Sequence, residues 1–201
     1  MCVQYELTTE SKGVQYLKLE RSDVYIVKRV RIAIKRLHVH DSYLLENNAS
    51  ERCIAHKLAE HLQRLFPLWN VDCEYNLNMN EIKVLEGLRE CDERRATDRV
   101  FPDIIIHKRG LKKNLLVIEI KKNHLDPKCD EKKLELFTAP EGEYNYVLGL
   151  FLKFTGTKTT EQWYKNGKND PMMSKVNDFG GMNLNFFIKS IISFHLRISP
   201  L

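Results

Sequence analysis

From Asp23 onward, apolar residues return at steps of three and four: Val27, Val30, Ile34 and Leu37. That spacing predicts a helix over 23–39 with one apolar stripe, Ser22 as its N-cap and Asp23 in its first turn. Lys28, Arg29, Arg31, Lys35 and Arg36 fill its other faces, as on a solvated helix surface. The same period recurs over 51–66, ERCIAHKLAEHLQRLF, where Ile54, Leu58, Leu62 and Leu65 form the stripe. Ser50 is the natural N-cap of this second helix, Pro67 its stop, and Glu60 and Arg64 are spaced to pair on its outer face.

The period then shortens to two. WNVDCEYN, 69–76, alternates as a strand does, whereas 77–99 is polar and irregular, with IKVLEGL as one short candidate element. Two β-branched runs, 102–107 and 115–122, flank a basic turn around Gly110 and predict a hairpin. DEKKLELFT, 130–138, predicts a helix, and YNYVLGLFL, 144–152, a strand buried on both faces. Residues 153–181, rich in Gly, Lys, Asn and Thr, read as a loop. The apolar NLNFFIKSIISFHL leaves helix against strand open, and VQYEL and VQYLKL near the start read weakly as a hairpin. The order helix, helix, strand, strand, strand, helix, strand predicts an α/β sandwich around a small mixed sheet.

Composition narrows the class. A chain of 201 residues suits one domain, 1–201, and 43% hydrophobic with 29% charged residues suits a soluble globular one. No apolar run approaches the roughly 20 residues of a membrane span. MCVQYELTTESK lacks the basic-then-apolar order of a signal peptide, so the expected location is cytoplasmic. The five cysteines are odd in number and form no CxxC pair, which favours reduced thiols over a disulfide framework or a zinc knuckle. A formal charge of +5 leans toward a polyanionic partner. No GxxxxGK[ST], GxSxG or GxGxxG motif occurs, which argues against ATPase, hydrolase-elbow and dinucleotide readings.

The chemistry concentrates in FPDIIIHKRGLKKNLLVIEIKKN, 101–123. Side chains alternate along a strand, so Glu119 and Lys121 share a face with Leu115 and Val117. An antiparallel hairpin brings Asp103, at the start of one strand, beside the end of the other. Two carboxylates and an amine on a half-buried sheet are costly without a partner. A hard divalent cation, Mg²⁺ or Mn²⁺, is such a partner: Asp103 and Glu119 would hold it with the carbonyl of Ile120. The cation would lower the pKa of water, and Lys121 would orient or activate that water or stabilise the transition state. EIKK alone arises often by chance; the order PD, apolar strand, basic turn, apolar strand, ExK is much rarer.

PDIIIH followed by LLVIEIKKN resembles the PD-(D/E)XK superfamily, the restriction-endonuclease-like nucleases. SERCIAHKLAEHL, FPLWNVDCEYN, and DEKKLELFT with YNYVLGL are similar to small prokaryotic members of that superfamily. The resemblance implies an αβββαβ core over about 50–152: a mixed four-stranded sheet flanked by helices, with a helical extension over 1–49 and another extension over 153–201. It implies Asp103 and Glu119 as metal ligands, Lys121 as the catalytic lysine, and an acid from the first core helix. Glu51 suits that last role because it is in phase with Ala55, Leu58 and Leu62. The helix after the ExK strand offers Asp130 and Lys133. Lys122, Lys133, Lys108, Arg109 and the basic face of the first helix are candidate nucleic-acid contacts. The implied function is a Mg²⁺-dependent nuclease that hydrolyses phosphodiester bonds, in DNA before RNA; with no base-reading motif, its sequence specificity is expected to be weak or supplied by a partner. The alternative is a non-catalytic nucleic-acid-binding or protein-interaction module on the same fold. The C-terminal apolar segment is compatible with a homo-oligomer interface or with core.

Overall fold

The computed structural model describes residues 21–78, 81–85, 88, 99–122 and 127–176. The weak hairpin near the start of the chain and the apolar segment near its end lie outside the described residues. The elements run α1 (Arg21–His40), α2 (Ser42–Glu46), α3 (Glu51–Leu65), β1 (Asn70–Cys73), β2 (Leu77–Asn78), β3 (Glu81–Ile82), β4 (Ile104–Lys108) and β5 (Lys113–Lys122). They continue with α4 (Lys128–Thr138), β6 (Leu148–Thr155), β7 (Lys158–Lys165), β8 (Lys168–Asn169) and α5 (Pro171–Ser174). Ser50 caps α3 as expected, its side chain accepting from the Cys53 N–H at 3.2 Å. Glu60 departs from expectation and meets Lys57 and His56, each at 3.1 Å.

The architecture is α/β. One mixed sheet has the strand order β1-β4-β5-β6-β7-β8, with β5 and β6 parallel and the other neighbours antiparallel; β2 and β3 pair separately. The main sheet thus has six strands where four were expected, and the added β7 and β8 come from the segment read as a loop. Its alternation is real: Trp163 is buried on one face and Tyr164 on the other. The turn signal is Asn166-Gly167, whose φ values of 52° and 72° fit the left-handed pair of a two-residue hairpin loop.

Two cores flank the sheet, because β4, β5 and β6 are apolar on both sides. On one side Ile104, Ile106, Leu116, Ile118 and Ile120 pack with α1 and α3. On the other, Ile105, Val117 and Phe151 pack with Leu134 and Phe137 of α4. Val27, Val30 and Leu37 of α1 are fully buried in the first core, so the helix expected as part of an N-terminal extension is a structural layer. Cys53 and Cys73 are free thiols. Among the described residues, no helix is long and apolar enough to cross a membrane.

Gly149 sets how closely α4 approaches. A Cβ there would meet Thr138 Cγ2 at 3.1 Å, Tyr164 Cβ at 3.2 Å and Leu134 Cδ2 at 3.3 Å. A Gly149→Val change overpacks this contact and is expected to destabilise the protein by about 1–3 kcal/mol. Urea unfolding measures it; a midpoint equal to that of the native chain would show that α4 can back away freely.

Candidate active site

Strand register places the first acid. Ile104 pairs with Ile118, so Asp103 and Glu119 are the next step along the antiparallel ladder. β4 has ended there, and the Asp103 side chain takes over its hydrogen bonding: Oδ2 accepts from the Ile120 N–H at 2.6 Å. In an antiparallel ladder a residue directs its N–H and C=O to the same neighbour. The Ile120 carbonyl therefore faces the Asp103 side of the strand.

Glu119 lies on the α4 face, 2% exposed. Its Oε2 accepts from Lys133 Nζ at 3.1 Å, whereas its buried Oε1 has no hydrogen-bond partner among the described residues. Lys133 also donates to Asp130 Oδ1 at 2.6 Å, one helical turn away. Asp130 in turn holds Lys121, whose Nζ lies 3.0 Å from Oδ2. Lys121 Nζ is 3.8 Å from Glu51 Oε2, and Glu51 Oε1 accepts from the Lys122 N–H at 2.9 Å. The line Glu51, Lys121, Asp130, Lys133, Glu119 therefore joins the start of α3, the end of β5 and the first turns of α4. Glu51 faces the sheet, as its helical phase predicted. Lys122 turns its ammonium to the carbonyls of Asn48, at 2.8 Å, and Ala49.

The electrostatics follow from burial. Burial pushes the Glu119 carboxyl up to about 8, against the pull of Lys133, and Asp103 up to about 6, against the Ile120 N–H. Burial also acts to raise Asp130, but Lys133 and Lys121 outweigh it and hold that carboxyl below its usual range. For Lys121 and Lys133, burial opposes the charge, and the neighbouring carboxylates overcome it, raising both ammonium groups. Two ammonium groups thus face four carboxylates, Glu51, Asp103, Glu119 and Asp130, leaving two negative charges when all are ionised. Among the described residues no ready-made cluster of three or more His, Cys, Asp or Glu side chains surrounds a cation position. The donor set of two carboxylates and one carbonyl, the orphaned Glu119 Oε1 and the charge deficit fit a hard divalent cation that keeps part of its water shell.

Other expected contacts lie elsewhere. Lys108 and Arg109 sit at the turn end of the β4–β5 hairpin, about five residues or roughly 16 Å along the strand from Asp103. Lys108 donates to the Leu68 carbonyl beside the Trp69 ring, and Arg109 Nε is bound to Asp72 Oδ2 at 2.9 Å. Asp72 also takes His107 Nε2 at 2.8 Å, so the arginine belongs to a surface clamp. The helix α1 packs on the sheet face opposite α4, and its Arg31 is bound to Glu161 at 2.9 Å. None of these basic groups lines the carboxylate site. Sequence reasoning singled out Asp130 and Lys133 but not the bridge they form between Lys121 and Glu119; an acid and a base three apart at the start of a helix was the available signal. It missed Lys153, which the parallel register sets beside Lys121.

No family model matches the chain. No curated protein matches it either. Among solved structures it is similar to the crystal structure of SSO0001, at 13% identity over 88% of this chain and 84% of that chain, with a TM-score of 0.33.

Proposed function

We propose that the chain is a metal-dependent nuclease that hydrolyses phosphodiester bonds in nucleic acid, DNA in the first instance, on a restriction-endonuclease-like αβββαβ core. The observation that carries the reading is the meeting of Asp103, Glu119, Lys121 and Glu51 at the open end of the β4–β5 hairpin, with Glu119 Oε1 left unpartnered among the described residues. Asp103, Glu119 and the Ile120 carbonyl would hold Mg²⁺ or Mn²⁺. When bound, such a cation lowers the pKa of water and offsets charge on a phosphoryl oxygen. Lys121 keeps its proton, because Asp130 and Glu51 favour the ammonium form over the effect of burial. Its part is therefore to stabilise negative charge developing on the phosphate, not to act as a base. Asp130 positions Lys121, and Glu51 fixes the strand end through the Lys122 N–H.

The second reading, a non-catalytic binding module, draws on Lys133. Its ammonium already satisfies one oxygen of Glu119 without a metal. Incubating the chain with single-stranded, duplex and branched DNA and with RNA, in EDTA, Mg²⁺ or Mn²⁺, separates the two. Cleavage only with a divalent cation is the expected result. Cleavage that continues in EDTA would remove the metal from the reading, and binding without cleavage under every cation would favour the module.

A further inference from the structure

Beyond Glu119 the same sheet face carries a second positive group. The parallel register sets Lys121 directly beside Lys153 of β6, and the next pair sets Lys153 beside Thr160 of β7. All three lie on the α4 side: Lys153 follows Phe151 by two positions and Thr160 precedes Tyr164 by four, and both aromatics pack in the α4 core. Neighbouring strands are about 4.8 Å apart, so the row runs sideways from the carboxylate site across three strands.

Like charges directly opposite one another on a sheet are destabilising. Lys121 has its charge answered by Asp130 at 3.0 Å and Glu51 at 3.8 Å. Lys153 has neither an ion pair nor a hydrogen bond among the described residues, although it is half-buried. Thr160 is exposed, with its hydroxyl likewise unengaged among those residues. A lysine with no close partner among the described residues, beside a second lysine and with a hydroxyl next to it, is an arrangement that a phosphate oxygen can complete. Resting on the nuclease reading, we propose that Lys153 and Thr160 bind the phosphate adjacent to the scissile one, so that the strand being cut crosses β5, β6 and β7 over the α4 face. Lysine and hydroxyl side chains are common phosphate contacts, and they position a strand without reading its bases.

The test measures binding and turnover separately. Binding of a fluorescent single-stranded oligonucleotide is followed by anisotropy in EDTA across a salt series, and cleavage is followed with Mg²⁺. Lys153→Ala is expected to weaken binding about tenfold, to lower the salt slope by about one, and to raise KM while kcat stays within about twofold. Lys153→Arg keeps the charge and restores binding; Thr160→Val weakens it a few-fold. Lys175→Ala, an exposed lysine just after α5, whose Met173 packs in the core on the opposite sheet face, removes the same net charge and is expected to change neither quantity. Native affinity and salt slope in Lys153→Ala overturn the inference, and leave the nuclease reading standing if the native chain cleaves. A native chain that binds but never cleaves refutes the nuclease reading, while the Lys153 salt slope still decides the subsite. A native chain that binds no strand refutes both.

Discussion

Replacing Lys121 with alanine is expected to lower kcat by about 10²–10³, the usual effect of removing one preorganised donor from a developing oxyanion. Folding should survive. Lys121 is about one-quarter exposed, and its partner Asp130 keeps Lys133 at 2.6 Å. The loss should fall on kcat more than on KM, because the ammonium meets charge that appears only in the transition state. Asp130→Asn should give a smaller loss and, combined with Lys121→Ala, add little to it. Asp130 acts through Lys121, and residues in one network are not additive. Steady-state kinetics on one oligonucleotide, with a circular dichroism melt for each variant, decide the matter. Unchanged cleavage in Lys121→Ala would refute the assigned role; losses that multiply in the double variant would show that Asp130 acts independently.

The helices and the central hairpin were legible because their signals are local. Val27 to Leu37 and Ile54 to Leu65 repeat at helical spacing, and the β-branched runs around Gly110 close within ten residues of each other. Glu51 was legible from phase alone: a stripe that buries Leu58 and Leu62 also turns Glu51 toward the end of β5, where it meets the Lys122 N–H. The strands β7 and β8 were obscured because their segment is rich in Gly, Asn and Lys, although Asn166-Gly167 marks the turn between them. Lys108 and Arg109 are close to Asp103 in sequence and far from it in space, because a strand carries them to the other end of the hairpin. Lys153 was not readable, because pairing of parallel strands across a helical crossover leaves no local pattern. The bridge through Asp130 and Lys133 lies between these cases: the residues were visible, but their partner Glu119 lies 14 positions away from Lys133 and meets it only when α4 folds back on the sheet.

Between pH 6.5 and 8 the metal-free protein should lose stability as pH rises, and a divalent cation should cancel that loss. The cause is Glu119, whose carboxyl burial pushes up to about 8. In this window the folded protein retains the Glu119 proton while the unfolded chain, at the ordinary carboxylate value, has released it. A raised acid contributes stability that is complete below its unfolded value and is lost as pH climbs through its folded one. One retained proton corresponds to at most about 1.4 kcal/mol per pH unit. For a chain of this size that is roughly 2–4 °C of melting temperature per kcal/mol. Asp103, raised to about 6, contributes mainly below the window. Burial lowers His38, and lowers His107 despite its hydrogen bond to Asp72, so both act in the opposite sense, at the lower end of the window. Lys83, which burial lowers to about 8, acts in the opposite sense but only from there upward. Saturating Mg²⁺ should favour ionised Glu119 and stabilise the folded chain by about 2.7 kcal/mol at one hundred times its dissociation constant, with the gain increasing toward pH 8. Glu119→Gln keeps a neutral group of the same shape, and should remove both the slope and the response to Mg²⁺. Thermal melts at pH 6.5, 7.2 and 8.0, with and without Mg²⁺, measure all four combinations of variant and cation. Equal slopes for the native and Glu119→Gln chains would mean that Glu119 does not carry the proton, and an equal Mg²⁺ response in the two would place the cation away from its carboxylate.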